Sequence, residues 1–163
     1  MALNPAVTVA ALAERDGRFL VVEERIDGRI VLNQPAGHLE DGETLLQAVA
    51  REAREETAWR FTPRALLGVY LWHHPDSGHS VMRFAFTGIV SDHDPLQPLD
   101  QGILATHWLT RRELIERSQR LRSPLVLRCV DDYLAGHRHP LETVALIDGH
   151  PPAWTASPLP ASS

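Results

Sequence analysis

The sequence has almost no cysteine and no long hydrophobic run. Its single cysteine, Cys129, excludes an internal disulfide and fits a reducing compartment. Because Val126, Leu127 and Val130 surround it, we expect a buried, inert thiol rather than a nucleophile. No apolar stretch approaches the ~18 residues of a membrane span, and no basic segment precedes the mildly apolar N-terminus. We therefore expect a cytoplasmic protein without a membrane partner.

Basic charge is also scarce. The 163 residues carry 16 Lys and Arg against 21 Asp and Glu, giving a net charge of −5 and a pI near 6.0. This balance argues against a nucleic-acid polymer as partner, since such proteins present a basic face. An acidic protein that handles phosphates needs a cation near its site, and a divalent metal is the obvious candidate. Length and composition favour one domain, residues 1–150, followed by a flexible Pro-rich tail at 151–163.

Alternating and apolar segments bounded by turn residues predict strands, and segments with helical periodicity predict helices. A Pro- and Gly-containing loop is expected at 33–42, and a Pro- and Asp-rich loop at 92–102. The predicted strands are 7–12, 19–22, 30–32, 66–72, 81–90 and 105–109, and the predicted helices are 44–57, a brief one after Thr110, and 124–135. This order predicts an α/β (α+β) layered fold, with a mixed β-sheet sandwiched between helices.

Four helix boundaries are marked by capping residues. Thr44 with Gln47 and Thr110 with Glu113 each fit a capping box. The pair at 123–124 fits an N-cap followed by proline, and Gly136 provides a stop. In the helix at 44–57 the apolar stripe is predicted at positions 46, 49, 50 and 53.

Three glutamates, Glu52, Glu55 and Glu56, share one face of that helix, at a position expected to lie roughly opposite the apolar stripe. All three are expected to be ionised at neutral pH, so they repel one another unless a cation neutralises them. Converging carboxylates suit Mg²⁺, with Mn²⁺ as the alternative. The competing interpretation is a solvated helix face balanced by Arg51 and Arg54.

The surrounding sequence resembles the Nudix box, G-x5-E-x7-R-E-U-x-E-E-x-G-U, in which U is aliphatic. The positions that match with the required spacing are Gly37, Glu43, Arg51, Glu52, Glu55 and Glu56. Two positions depart, because Ala58 replaces the last glycine and Trp59 replaces the aliphatic residue after it. Since that glycine ends the helix in a left-handed turn, we expect Ala58 to carry backbone strain or to end the helix differently.

The resemblance to Nudix hydrolases implies a role for each matching residue. Glu52 and Glu56 are the implied metal ligands, and Glu55 is either a further ligand or the base that deprotonates the attacking water. The carbonyl of Ala36 is implied to complete the metal shell. Arg51 is implied to orient the glutamates through charge-assisted hydrogen bonds. A metal-aligned water then attacks phosphorus in a pyrophosphate-type bond.

A wider resemblance, over roughly residues 7 to 142, is to the NudJ-type phosphatases. It is carried by VTVA at 7–10, VVEE at 21–24, NQPAGHLE at 33–40, LRSPLV at 121–126 and the segment from 133 to 141. It implies hydrolysis of nucleoside di- and triphosphates and of hydroxymethylpyrimidine pyrophosphate. Many members add an acid from a later loop to the metal site. Because Gly102 occupies the usual position here, Asp100 or Asp94 is the candidate substitute.

Weaker signals concern the substrate. Arg83, midway along a strand, is expected to contact phosphate or to close an ion pair, and Arg122 is a second candidate substrate-binding residue. Trp72 and Trp108 suit either base stacking or packing, with packing favoured. The histidines at 73, 74 and 79 lack the ligand spacing of a zinc site and are expected at the surface.

Two rival functions remain at the level of sequence. One is a non-catalytic Nudix-like module that binds a nucleotide or effector. The other is a structural or interaction protein in which the glutamates are only surface. The favoured hypothesis is a Mg²⁺-dependent hydrolase of a small phosphorylated molecule, acting as a monomer or homodimer.

Overall fold

The computed structural model describes residues 3–147, so the predicted tail at 151–163 lies outside the described residues. Within them the chain forms seven strands, three α-helices and two short 3-10 helices, at Ser118–Arg120 and Leu141–Thr143. The strands are β1 (Ala6–Arg15), β2 (Arg18–Ile26), β3 (Arg29–Asn33), β4 (Ala36–His38), β5 (Arg60–His73), β6 (Ser80–Ser91) and β7 (Ile103–Thr110). The helices are α1 (Leu45–Thr57), α2 (Arg111–Glu116) and α3 (Leu125–Leu134).

Strand β1 is the centre of a mixed sheet. It runs parallel to β6 and antiparallel to β4, and its end pairs with β2 in a hairpin. Strand β6 pairs antiparallel with β5, while β2 pairs antiparallel with β3 and β7. The order is β3-β2-β1-β6-β5, with β4 attached to β1 and β7 attached to β2. The single parallel pair makes the sheet mixed, which confirms the predicted topology class.

Strand β1 is buried on both faces. Ala10 and Leu12 of β1 point toward a core shared with Cys129 and Val130 of α3. The alternate residues of β1 point to a second core shared with Val49 of α1. A strand covered on both faces needs a continuous apolar run, as β1 has, rather than an alternating pattern. The predicted layered fold, with the sheet between helices, is confirmed.

The strands are longer than predicted, and one strand was not predicted. The tight turns expected at Asp16 and Asp27 are present, each with a positive φ at the aspartate and at the glycine that follows. The segment 33–42 was predicted to be only a loop, which is wrong for Ala36–His38. Proline and glycine weaken its strand signal, but this segment gains ladder hydrogen bonds by pairing with residues 8–10 of β1.

Helix α1 begins and ends as its capping residues require. The N–H of Gln47 donates to Thr44 Oγ1 at 3.0 Å, and Gln47 Oε1 accepts from the N–H of Thr44 at 2.9 Å, which confirms the capping box. At the other end Ala58 adopts a left-handed conformation, with φ 59° and ψ 12°. The expected strain is therefore present, about 1–2 kcal/mol for a residue with a side chain.

Two of the other predicted boundaries hold, whereas the N-cap of α3 is Pro124 rather than the predicted Ser123. Thr110 and Glu113 form the second capping box, and Gly136 has a φ of 87° after α3. Helix α3 begins at Leu125, one residue later than predicted, and Ser123 Oγ accepts from its N–H at 3.3 Å. Within residues 3–147, no helix has the length and apolar character needed to cross a membrane.

Candidate active site

Two of the three helix glutamates are buried. Glu52 is 8% exposed and Glu56 is 7% exposed, whereas the side chain of Glu55 is 40% exposed. The expectation that they lie roughly opposite the apolar stripe agrees with the exposure of Glu55 but is wrong for Glu52 and Glu56. Seven positions of a helix return to within ~20° of the starting direction, which places Glu56 beside Val49 on the buried side. The carboxylates therefore lie at the edge of the core.

Strand β4 covers these carboxylates. A Cβ atom added to Gly37 would lie 2.2 Å from Glu52 Cδ, so any larger residue would require the Glu52 carboxylate to move. The N–H of Ala36 donates to Glu56 Oε2 at 3.0 Å. The loop that begins the Nudix-like box thus holds both buried glutamates through its backbone. The predicted role of the Ala36 carbonyl as a metal ligand is tested by neither contact.

Arg51 links the box residues to one another. Its Nη1 donates to Glu52 Oε1 at 2.8 Å and to Glu55 Oε2 at 3.1 Å. Its Nη2 donates to the His38 carbonyl at 3.1 Å, and its Nε donates to Glu43. One guanidinium therefore donates to three carboxylates and to the end of β4.

The burial of these carboxylates makes a cation favourable at this place. Burial raises the pKa of Glu52, and it raises the pKa of Glu56 to about 9 even though the Ala36 N–H opposes the shift. The expectation that all three glutamates are ionised at neutral pH is therefore wrong for Glu56 in the protein alone. A bound cation would stabilise the ionised forms that burial and mutual repulsion disfavour.

A loop residue joins the helix glutamates. Oxygens of Glu52, Glu55 and Asp100 all lie within 4.8 Å of one another, and the N–H of Asp100 donates to the Glu55 carbonyl at 3.0 Å. Asp94, the other candidate, lies elsewhere: Arg54 is its ion-pair partner at 3.9 Å, and its Oδ1 accepts from the N–H of Leu96. Glu56 is not part of the group of three.

Glu52 and Glu56 line a cleft of about 480 Å³, and Glu55 and Asp100 lie next to Glu52 outside that lining. Both predicted substrate-binding arginines line it, Arg83 from β6 and Arg122 from the segment before α3. Arg83 is buried and donates to the side-chain oxygens of Gln34 at 3.1 Å and Asn33 at 3.3 Å. Within residues 3–147 it forms no ion pair, so that alternative for Arg83 is not observed.

Sequence reasoning missed two cleft residues, Glu24 and Thr8. Burial raises the pKa of Glu24, whose carboxyl also interacts with Asn33 and Arg122. In the sequence, Glu24 is only the last residue of the VVEE segment, where a polar residue is expected at the end of an apolar strand. Thr8 stands in an apolar run, and no signal in the sequence marks it. Both are brought to the cleft by pairing between distant strands.

The weaker sequence signals have structural explanations. Trp108 packs against the α1-side core and against Trp59, as predicted. Trp72 instead lines the cleft, beside the ring of His74. The three histidines at 73, 74 and 79 are in or beside the β5–β6 turn and belong to no metal-ligand group among residues 3–147. Cys129 is buried and burial raises its thiol pKa, as expected of an inert cysteine.

The sequence matches the NUDIX domain family over residues 2–129. The chain belongs to this family and is a hydrolase that acts on phosphoanhydride substrates with the help of a divalent metal. The complete set of box carboxylates favours this assignment over the two rival interpretations, a non-catalytic module and a purely structural protein.

Individual relatives agree with this assignment. The chain is 42% identical to Phosphatase NudJ of Escherichia coli strain K12 over 141 residues, which are 86% of this chain and 91% of that protein. Phosphatase NudJ of Shigella flexneri matches to the same extent. A NUDIX hydrolase from Nitrosomonas europaea superposes with a TM-score of 0.88 and 44% identity, over 90% of this chain and 100% of that one. A UDP-X diphosphatase shares the fold, with a TM-score of 0.68 and 20% identity over 86% and 68% of the two chains.

Proposed function

We propose that Glu52, Glu55 and Glu56, joined by Asp100 and the carbonyl of Ala36, hold Mg²⁺, with Mn²⁺ as a substitute. The observation that carries the proposal is the convergence of Glu52, Glu55 and Asp100 oxygens within 4.8 Å beside a cleft. Hard carboxylate and carbonyl oxygens are the ligands that these cations prefer. The close contact at Gly37 also supports the proposal, because a larger residue there would displace the Glu52 carboxylate.

Bound Mg²⁺ would neutralise phosphoryl oxygens and lower the pKa of a water molecule. The residues of the chain have separate tasks in this reaction. Arg51 keeps Glu52 and Glu55 in one orientation through its two short hydrogen bonds. Glu55 is the most exposed of the three glutamates, and its oxygen lies within 4.8 Å of those of Glu52 and Asp100, so it is well placed to accept a proton from water at the metal-binding carboxylates. We propose it as the general base, or as a further ligand if another group takes the proton.

We propose nucleoside di- and triphosphates and hydroxymethylpyrimidine pyrophosphate as the substrate class, with inorganic phosphate as product. The 42% identity to a phosphatase over most of both chains supports this choice. A cleft of about 480 Å³ suits a small molecule rather than a polymer. Arg83 and Arg122 supply the positive charge that an anionic substrate needs against the glutamates. A cytoplasmic location and a monomeric or homodimeric state complete the proposal.

The test is a phosphate-release screen with Mg²⁺ across nucleoside di- and triphosphates, nucleotide sugars, dinucleotides and hydroxymethylpyrimidine pyrophosphate. We expect metal-dependent release from the di- and triphosphates or the pyrimidine pyrophosphate, and loss of release in EDTA. Thermal stabilisation by the same compounds without any hydrolysis would instead support a binding module.

A further inference from the structure

The floor of the cleft carries a buried cation and a buried hydroxyl that the protein itself does not satisfy. Arg83 is 5% exposed and Thr8 is 9% exposed, and both line the cleft. Arg83 Nε and Thr8 Oγ1 are buried atoms without a hydrogen-bond partner among the described residues. A buried polar group left unpaired costs about 1–3 kcal/mol. Two of them in one cleft therefore indicate a missing ligand.

The sheet places these two groups next to each other. Thr8 of β1 and Arg83 of β6 are register partners in the parallel strand pair. Partners in neighbouring strands, which lie ~4.7–4.9 Å apart, project their side chains from the same face of a sheet. A hydroxyl and a guanidinium are thus adjacent donors on one surface.

Arg83 is oriented by neutral groups only. Its two terminal nitrogens donate to the side-chain oxygens of Asn33 and Gln34, and Gln34 Nε2 donates in turn to the Val126 carbonyl at 2.8 Å. These amides fix the guanidinium but carry no charge themselves. The Cys129 thiol and the Glu24 carboxyl favour the charged form of Arg83, but its Nε has no hydrogen-bond partner among the described residues. A buried charge is stable only when it is paired, so an anion is the expected ligand.

We propose that Thr8 and Arg83 form a second phosphoryl subsite, which binds the phosphoryl group of the substrate that does not lie at the metal-binding carboxylates. The inference rests on the proposed function, because it takes the substrate to be a phosphoanhydride. Guanidinium N–H and hydroxyl groups are strong donors to phosphate oxygens. Two subsites in one cleft select molecules with two adjacent phosphoryl groups over simple phosphate monoesters. The subsite thereby defines the substrate class as di- and triphosphates.

The direct test is calorimetric titration of the protein in EDTA with inorganic phosphate as the probe, so that neither metal nor turnover contributes. Thr8→Val is nearly isosteric and removes only the hydroxyl. We expect phosphate binding to weaken about 2- to 10-fold, the size of one neutral hydrogen bond. Because that hydroxyl has no internal partner, Tm should not fall. Arg83→Gln should weaken binding more, by roughly 10- to 100-fold, as loss of a charged donor does.

Two further variants serve as controls. Thr8→Ser should restore phosphate binding, because it returns the hydroxyl. Thr87→Val changes a buried threonine on the same strand as Arg83 but outside the cleft lining, and should leave phosphate binding unchanged. With Mg²⁺ and a diphosphate substrate, Thr8→Val should raise KM more than it lowers kcat.

The subsite proposal is overturned if wild-type protein in EDTA binds no phosphate. Equal binding by wild type and Thr8→Val would overturn it too, as would equal losses in Thr8→Val and Thr87→Val. None of these results depends on catalysis. Failure of the proposed function would appear separately, as no metal-dependent phosphate release in the substrate screen.

Discussion

The two sides of the cleft are built in different ways. The acidic side (Glu52, Glu55, Glu56 and Asp100) draws three of its four carboxylates from five consecutive positions of one helix. The basic side (Thr8, Arg83 and Arg122) draws each residue from a different part of the chain, joined by the parallel pairing of β1 with β6 and by the start of α3. Helix geometry brings the three glutamates of the acidic side together, and the loop at Asp100 completes it, whereas the basic side exists only after the sheet has formed.

The largest expected effect is on the acidic side. We expect Glu52→Gln and Glu56→Gln each to lower kcat by at least about 100-fold, because a neutral amide cannot replace a carboxylate that binds a divalent metal. Both folds should survive, since glutamine keeps the shape and can still accept from the Ala36 N–H at position 56. The matched control is Glu116→Gln on α2, a side chain 54% exposed and outside the cleft lining. Near wild-type rates for Glu52→Gln or Glu56→Gln at saturating Mg²⁺ would refute the roles assigned to these glutamates.

Gly37→Ala tests whether the backbone of β4 positions the acidic side. Because the φ of Gly37 is not positive, alanine brings no backbone strain, and its only effect is the clash with Glu52. We expect Mg²⁺ affinity to fall by about 10- to 100-fold, as measured by titration of activity with metal. In a double-mutant cycle, Glu52→Asp should lower Mg²⁺ affinity less in the Gly37→Ala variant than in wild type, because the shorter side chain relieves the clash. Strict additivity of the two changes would contradict the contact.

Substitutions of Arg51 and Arg54 should separate the orientation of the carboxylates from the stability of the fold. Arg51 holds the carboxylates, so Arg51→Gln should lower kcat/KM about tenfold or more. Arg54 donates instead to the carbonyls of Ala58 and Asp92. Arg54→Gln should therefore lower the free energy of unfolding by about 1 kcal/mol and leave kcat/KM unchanged. The reverse pattern, in urea titrations and steady-state kinetics, would show that the wrong arginine was assigned to the site.

The smallest effect is expected at Ala58, where the sequence departs from the Nudix box. Restoring glycine by Ala58→Gly relieves about 1–2 kcal/mol of left-handed strain. The substitution also removes the buried methyl group, which lowers stability by about 0.8 kcal/mol. It increases the conformational entropy of the unfolded chain as well, which lowers stability by about 0.4–1 kcal/mol. These terms nearly cancel, so the free energy of unfolding should change by less than about 1 kcal/mol and kcat by less than about twofold. A tenfold gain in kcat would show that Ala58 disturbs the carboxylates.

The same contrast explains what the sequence could predict. Helix spacing placed Glu52, Glu55 and Glu56 on one face, and the resemblance to the Nudix box implied the roles of these residues and of Arg51. It could not predict that two of these glutamates are buried, since the burial comes from β4. Nor could it choose between Asp94 and Asp100, because the course of the loop depends on contacts with α1.

Long-range pairing accounts for the remaining differences. Strand β4 was missed because proline and glycine hide a segment that is ordered by the neighbouring β1. Arg83 was identified by its charge within a strand, but its unpaired Nε required the positions of Asn33, Gln34 and Cys129. Thr8 carries no signal of its own and becomes notable only beside Arg83.

The central claim is that the carboxylates of α1 and Asp100 bind a divalent cation. Its most direct test is a crystal soaked in Mn²⁺ and measured at the manganese absorption edge. We expect an anomalous peak among the oxygens of Glu52, Glu55 and Asp100, and its loss in Glu52→Gln crystals soaked in the same way. A wild-type crystal with no peak there, at Mn²⁺ concentrations that support turnover, would contradict the account.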